Sequence, residues 1–240
     1  MIVGASDGIG AATARLLAAQ GCAVALVARR EAELETVAGD IRATGGTALT
    51  YPHDVSDFDA VPALFQTVCR DLGGLDLIVY AAGAMPRLAP NEYDFAKDRA
   101  MICVNLLGAV AWLNEAAARF AATNAGTIVG IGSVAGDRGR RAAPVYGATK
   151  AALETYLESL RNRAGGTAVR VVTIKPGPID TAMTKGMDKL PLLLPVSEAA
   201  RQIVKAAGGG AEVVYVPGAW AIIMAVIRAV PSALFRKLNI

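Results

Sequence analysis

The sequence predicts an α/β protein of the doubly wound, three-layer kind, built on a mostly or wholly parallel sheet. Two observations carry this. Short apolar, β-branched runs alternate with longer amphipathic stretches from end to end, and a repeated strand–helix order implies parallel strands joined by right-handed crossovers. Several of the runs are apolar at every residue rather than at every second one, the pattern of strands covered on both faces.

Seven strands are expected near residues 2–4, 22–28, 47–51, 75–81, 126–131, 168–174 and 213–216. Helices are expected near 10–20, 31–44, 57–72, 98–123, 144–163 and 197–207. Gly21, Gly73-Gly74 and Gly165-Gly166 read as helix stops ahead of strands. Only Met1 to Val3 precede Gly4, whereas a central strand normally takes about five or six residues. The natural chain is therefore expected to begin a few residues earlier. No second domain, repeat or low-complexity linker stands out, so residues 1–240 are expected to form one domain.

Composition narrows the function classes. Of the 240 residues, 54% are hydrophobic and 19% charged, enough apolar material for a large core. A formal net charge of +3, with no dense Lys/Arg helix, argues against nucleic acid. Cys22, Cys69 and Cys103 are odd in number and lie far apart in apolar segments. They read as reduced core residues of a cytoplasmic protein. With one histidine, His53, neither a metal site nor a histidine-based triad is expected. No secretory leader pattern is visible, and no apolar run reaches the roughly 18 residues needed to span a bilayer.

Gly4-Ala5-Ser6-Asp7-Gly8-Ile9-Gly10 falls where the first strand should turn into the first helix. Gly4 permits a tight turn, Gly8 lets backbone approach a pyrophosphate, and Gly10 allows close helix–strand packing. The helix N-terminus then presents free N–H groups to the anion. The second strand ends in Arg29-Arg30. An acid here suits the ribose 2′-hydroxyl of NAD, whereas arginine suits the 2′-phosphate of NADP. Arg29, helped by Arg30 and Ser6, therefore favours NADP(H), with NAD(H) as second choice. The competing reading is that both arginines only open the next helix and stay solvated.

Tyr146 and Lys150 stand four residues apart, on one face of the expected helix. A free phenol titrates near about 10, and bringing it to neutrality takes roughly 4 kcal/mol of preferential phenolate stabilisation. An adjacent ammonium has the right sign. Ser133 follows the fifth strand, at the carboxyl end of the sheet where such folds bind ligands.

These pieces together resemble the short-chain dehydrogenase/reductase family over nearly the whole chain. The resemblance rests on Gly4-x3-Gly8-x-Gly10, Asp54-Val55, Ala81-Ala82-Gly83, Asn105, Ser133, Tyr146/Lys150 and Pro176-Gly177. It implies a Rossmann-type fold with seven strands in the order 3-2-1-4-5-6-7. It also implies an NADP(H)-dependent oxidoreductase interconverting a ketone or aldehyde and an alcohol. Tyr146 would be the general acid or base, and Ser133 would orient the carbonyl. Lys150 would bind the nicotinamide ribose and lower the tyrosine pKa, and Asn105 would hold a water linking Lys150 to solvent. Asp54 and Val55 would meet the adenine. Ile9, Ala82, Gly83, Pro176, Gly177, Ile179 and Thr181 would complete the cofactor site. A homodimer or homotetramer built on the helices of Asn105 and Tyr146 is also implied. The chain departs from the family pattern at Val3, where threonine is usual, and at Tyr80-Ala81, where Asn-Asn is usual. The second departure removes side chains that brace the central strand.

Three segments bear on the substrate. Residues 182–195, where the resemblance implies a lid, carry Met183, Met187, Leu190 and Leu192 to Leu194. They suit an apolar or lipid-like small molecule, unless the leucines pack on the core. Arg138, Arg140 and Arg141 lie between Ser133 and Tyr146, either drawing an anionic head group or standing solvated. The tail, 218–240, is apolar, with Trp220, Ile223, Met224 and Ile227 at helical spacing and Arg228, Arg236 and Lys237 behind them. It would contact a membrane peripherally, cover the lid, or meet a partner subunit. The alternatives to a reductase are a catalytically silent NADP(H)-binding sensor or scaffold and an epimerase or dehydratase on the same fold.

Overall fold

The computed structural model describes residues 1–89, 91–187 and 190–238. Its strands in chain order are β1 (Ile2–Val3), β2 (Val24–Ala28), β3 (Ala48–Pro52), β4 (Leu77–Tyr80), β5 (Gly126–Ile131), β6 (Val169–Pro176), β7 (Ile179–Asp180), β8 (Leu194–Pro195) and β9 (Val213–Val216). The helices are α1 (Gly8–Ala19), α2 (Glu31–Ala43), α3 (Val61–Asp71), α4 (Phe95–Ile102), α5 (Gly108–Thr123), α6 (Pro144–Arg163), α7 (Val196–Gly208), α8 (Ala219–Ala229) and α9 (Ser232–Phe235). Seven strands form one sheet in the order β3-β2-β1-β4-β5-β6-β9. Every pairing in it is parallel. The expected order holds, and the seventh sheet strand is β9 because β7 and β8 form a separate two-stranded pair.

The unbroken apolar runs are explained by two cores, one on each face. Ile2, Leu26 and Val79 point into one, against Leu17 of α1, Val37 of α2 and Ile203 of α7. Val3, Val27, Ile78 and Tyr80 point into the other, against Phe65 of α3, Trp112 of α5 and Leu157 of α6. Alternation is present in direction, but both directions are dry.

Some boundaries differ from expectation for local reasons. α3 begins at Val61 rather than near 57, with Pro62 in its first turn; proline is tolerated there but would break a helix begun earlier. The helix expected over 98–123 starts at Phe95, where the Asp94 carboxylate accepts from the Ala96 and Lys97 N–H groups. It then passes through a π turn at Cys103–Leu107 before continuing as α5. This continuous helix, Phe95–Thr123, is long and apolar enough to cross a membrane by length and composition. Its Trp112, Leu113, Ala116 and Phe120 are instead buried in the second core. The expectation of three core cysteines is corrected. Cys69 is buried, but Cys22 is exposed in the turn before β2 and Cys103 is intermediate.

The end of β4 braces the π turn. The buried Tyr80 hydroxyl donates to the Val104 carbonyl at 2.6 Å. The side chain that displaces the usual asparagine thus supplies a brace of its own. Burial raises the Tyr80 phenol above its ordinary value, so it stays a donor. Losing a buried hydrogen bond of this kind costs about 1–3 kcal/mol. Tyr80→Phe is therefore expected to lower the denaturant midpoint by that amount of stability with the m-value unchanged. An unaltered midpoint would show that the brace contributes nothing.

Candidate active site

The first βα turn is shaped by steric need. Gly8 has φ +54°, a left-handed backbone. A Cβ on Gly10 would lie 2.1 Å from the Gly4 carbonyl oxygen, so helix and strand could not meet with any larger residue there. α1 starts at Gly8, two residues earlier than expected, with Asp7 as its cap; the Asp7 carboxylate accepts from the Gly8 N–H at 2.6 Å. Thr181, on the stem beyond β7, comes within 3.3 Å of the place a Gly8 Cβ would occupy. A cavity of about 250 Å³ opens beside this turn, lined in part by Ser6, Gly8, Asp180 and Thr181. Ile9 packs against the first core.

At the end of β2 the two arginines divide. Arg30 donates to the Ser6 hydroxyl at 3.0 Å and pairs with Glu33 at 3.3 Å. Arg29 points the other way, 3.5 Å from an Asp54 carboxylate oxygen. The guanidinium that reaches the glycine turn is that of Arg30, through Ser6, while Arg29 lies beside Asp54. The Asp54 carboxylate accepts from the Ser56 hydroxyl and N–H, which hold its pKa below the ordinary value. Val55 is buried beside it.

Tyr146, Lys150, Ser133 and Asn105 converge at the carboxyl end of the sheet. The Lys150 ammonium stands 5.8 Å from the Tyr146 ring centroid and donates to the Ile131 carbonyl at 2.8 Å. The Tyr146 phenol is raised, not lowered, because burial outweighs the hydrogen bond from Ser133 that pulls the other way. The expected downward push from the ammonium is not the governing effect in this geometry. Burial also lowers Lys150, to about 8.

Asn105 sits in the π turn. Its amide donates to the Ala84 carbonyl at 3.0 Å and the Thr149 hydroxyl at 3.1 Å, and its oxygen accepts from the Ala84 N–H at 2.7 Å. Both N–H donors are taken, so a water-holding role falls to the remaining lone pair of Oδ1. One point beside Gly83 lies 3.7 Å from both that oxygen and the Lys150 nitrogen. Ala82 packs on the second core. Pro176 ends β6, and Ile179 is buried in β7.

The family model for short chain dehydrogenases matches residues 1–190. This chain belongs to the short-chain dehydrogenase family. It is 33% identical over 240 residues to an uncharacterized oxidoreductase of Streptomyces coelicolor, covering 99% of this chain and 94% of that one. Among solved structures, a short chain dehydrogenase/reductase family protein aligns with TM-score 0.82 and 30% identity, over 92% of this chain and 96% of that one. A 3-oxoacyl-[acyl-carrier protein] reductase from Brucella melitensis aligns with TM-score 0.79 and 26% identity, over 90% and 88%. This short-chain dehydrogenase is accordingly an oxidoreductase acting between CH–OH and C=O groups.

The sequence reading missed a buried charge cluster in this short-chain dehydrogenase, directly beneath Ser133. The Glu154 carboxylate accepts from the Ser133 N–H at 3.0 Å and pairs with Lys175 at 2.9 Å. Lys175 also pairs with Asp137, which accepts from the Tyr215 hydroxyl at 2.7 Å. Burial raises Glu154, and burial alone would lower Lys175, but its two carboxylate partners outweigh that and raise it. Glu154 follows Lys150 by one helical turn, so the pattern Tyr146-x3-Lys150-x3-Glu154 was the available signal. Lys175 precedes the Pro176-Gly177 turn, which ties that turn to the Ser133 loop.

The stems of the segment expected to form a lid are paired: Ile179 and Asp180 of β7 lie in register with Leu194 and Pro195 of β8. Residues 188 and 189 of the expected lid lie outside the described residues. Met183 reaches to 3.9 Å from the point beside Gly83, and Leu192 and Leu193 are exposed. The basic rim is largely committed elsewhere. Arg138 donates to the carbonyls of Ile227, Arg228 and Val230, Arg140 reaches Met224, and only Arg141 is exposed.

The Lys150 geometry gives a measurable sign. Folded Lys150 releases its proton near 8, whereas its ordinary value is 10.5. Between these values the unfolded chain binds more protons, so this group adds stability as pH rises. At neutral pH its buried charge costs on the order of 3 kcal/mol. Lys150→Met is expected to raise Tm by several degrees at pH 7, with the margin over the parent shrinking toward pH 10. Comparing the two proteins cancels the tyrosines Tyr51 and Tyr156, both raised to about 12. A lower Tm for the variant at pH 7 would overturn this.

Proposed function

We propose that this enzyme uses NADP(H) to interconvert a ketone or aldehyde and the corresponding alcohol on an apolar or lipid-like small molecule. The observation that carries the proposal is the meeting of Tyr146, Ser133, Lys150 and Asn105 at one end of the sheet. The residues around the glycine turn suit a dinucleotide. Gly8 keeps the helix start open, and Arg30 with Ser6 suits a 2′-phosphate. Asp54 and Val55 suit the adenine, while Ala82, Gly83, Pro176, Gly177, Ile179 and Thr181 suit the nicotinamide half. When bound, NADPH would supply the hydride for reduction, and NADP⁺ would accept it in the reverse direction.

The chain's own groups handle the proton and the position. The Tyr146 hydroxyl protonates the carbonyl oxygen during reduction, or takes the proton back from the alcohol in the reverse direction. Ser133 donates to the same oxygen and fixes its place, with its own backbone held by Glu154. Lys150 holds a ribose and keeps positive charge near the phenol. Asn105 Oδ1 faces Lys150 across the gap beside Gly83, a path for replacing the proton. The half-buried phenol favours the protonated form, which suits reduction. The apolar lid, through Met183, Leu192 and Leu193, supports an apolar substrate. The name of the Brucella reductase, which specifies a 3-oxoacyl substrate, is in keeping with that.

NADPH oxidation with a series of ketones of rising chain length tests the reading, with kcat/KM expected to rise along the series. Tyr146→Phe is expected to lower kcat by about 10²–10⁴-fold while NADPH still binds in a fluorescence titration. Near-normal turnover would refute the role of Tyr146, and binding without turnover by the parent would favour a sensor. Removing both guanidinium groups in Arg29→Ala/Arg30→Ala is expected to cut the NADPH:NADH ratio of kcat/KM about 10–100-fold, the worth of a charge-assisted hydrogen bond. An unchanged ratio would sink the cofactor preference.

A further inference from the structure

The tail presents an apolar surface held rigidly against the catalytic end of the molecule. One side of α8 is packed: Trp220 and Met224 are buried with Val134, and Ile223 and Ile227 lie against them. The other side is bare. Ala219, Ile222, Val226 and Ala229 recur at three- and four-residue spacing and are all exposed. Ile222 is 73% exposed and Val226 63%, and Leu234 and Leu238 extend the exposed apolar surface beyond α8.

This surface is fixed in place, not trailing. Arg138, in the loop between Ser133 and Tyr146, donates to the last carbonyls of α8 and stacks on Phe235 at 4.0 Å. The Trp220 indole lies flush on Gly177, where a Cβ would stand 1.9 Å from Nε1. The tail is thus seated at the carboxyl end of β6 and β9, beside the end of the sheet that holds Tyr146.

Its charge is one-sided. Residues 213–240 contain Arg228, Arg236 and Lys237 and no aspartate or glutamate. We propose that α8 and α9 dock this protein on an anionic lipid surface, with the apolar stripe set among the acyl chains and the three cations among the head groups. Charge decides between a bilayer and a second copy of this chain. A two-fold contact would bring the patch against itself, three cations facing three cations with no acid in residues 213–240 to offset them. A negatively charged membrane face supplies the missing counter-charge, and each basic residue near it contributes about 1 kcal/mol. Docked this way, the cleft and its apolar lid open beside the bilayer.

Co-sedimentation of the protein with vesicles tests this. The expected result is binding to an equal mixture of phosphatidylglycerol and phosphatidylcholine, much weaker binding to phosphatidylcholine alone, and release by salt. Ile222→Glu/Val226→Glu should abolish binding while preserving the melting curve and the turnover of a water-soluble ketone. Arg236→Ala/Lys237→Ala should weaken binding roughly fivefold per charge removed, the equivalent of about 1 kcal/mol each. Absence of binding to the mixed vesicles, or equal binding to both, would overturn the proposal. So would a dimer in sedimentation equilibrium that Ile222→Glu/Val226→Glu dissociates in a protein without vesicle binding. The proposal is separable from the redox reading. Vesicle binding without carbonyl reduction leaves the docking surface standing and removes the reductase, and the reverse result removes only the docking.

Discussion

A helix that passes through a π turn leaves its regular hydrogen-bond ladder, and the surrounding structure has to supply partners for it. At Cys103–Leu107 the end of β4 supplies one, through the Tyr80 hydroxyl to the Val104 carbonyl, and the Asn105 side chain of the turn in return holds both backbone groups of Ala84, beyond β4. The same turn aims Asn105 at Thr149, on the helix of Tyr146 and Lys150. Three segments far apart in sequence are thereby locked to one another within a residue or two of the site. The clamp and the bond from the Lys150 ammonium to the Ile131 carbonyl together set Lys150, Asn105 and Gly83 against one another.

A second constraint lies under Ser133. Two carboxylates and one ammonium are buried together, with Tyr215 and the Ser133 backbone as added donors. Taking such charges out of water is costly, and a wholly apolar cluster of the same shape would often be as stable or more so. The arrangement joins the Ser133 loop, α6, β6 and β9 by directional bonds that apolar packing could not make. It holds the backbone of Ser133, the residue proposed to orient the carbonyl, while the Ser133 hydroxyl accepts from the Ala135 N–H and faces Tyr146.

What could be read from the sequence was what is written locally. The glycine turn, the Tyr146/Lys150 spacing and the strand–helix alternation each occupy a few neighbouring residues, and their physical meaning does not need the rest of the chain. The π turn could not be seen that way, since it is stabilised by Tyr80 and Ala84 from another element. Nor could the cluster of Asp137, Glu154, Lys175 and Tyr215, whose members are 17 or more residues apart in chain order. Arg138 was legible as a cation near the cleft, but its use in holding the end of α8 depends on a tail 89 to 92 residues away. That Arg30 reaches Ser6 while Arg29 lies beside Asp54 turns on side-chain direction at the end of a strand, which one residue of register reverses. The pair β7 and β8 is only two residues long on each side, too short to show any period.

That small pair has a consequence for how such a protein can change. With both stems of the segment between them paired in register, its ends keep a fixed footprint on the rest of the fold. Residues can be added or removed between the stems without moving a sheet strand, and the entropic penalty grows slowly, by about 0.6 kcal/mol per doubling of loop length. Diversification of that excursion can then proceed in one stretch of the chain, while the cluster of Tyr146, Ser133, Lys150 and Asn105 and the glycine turn are inherited unaltered.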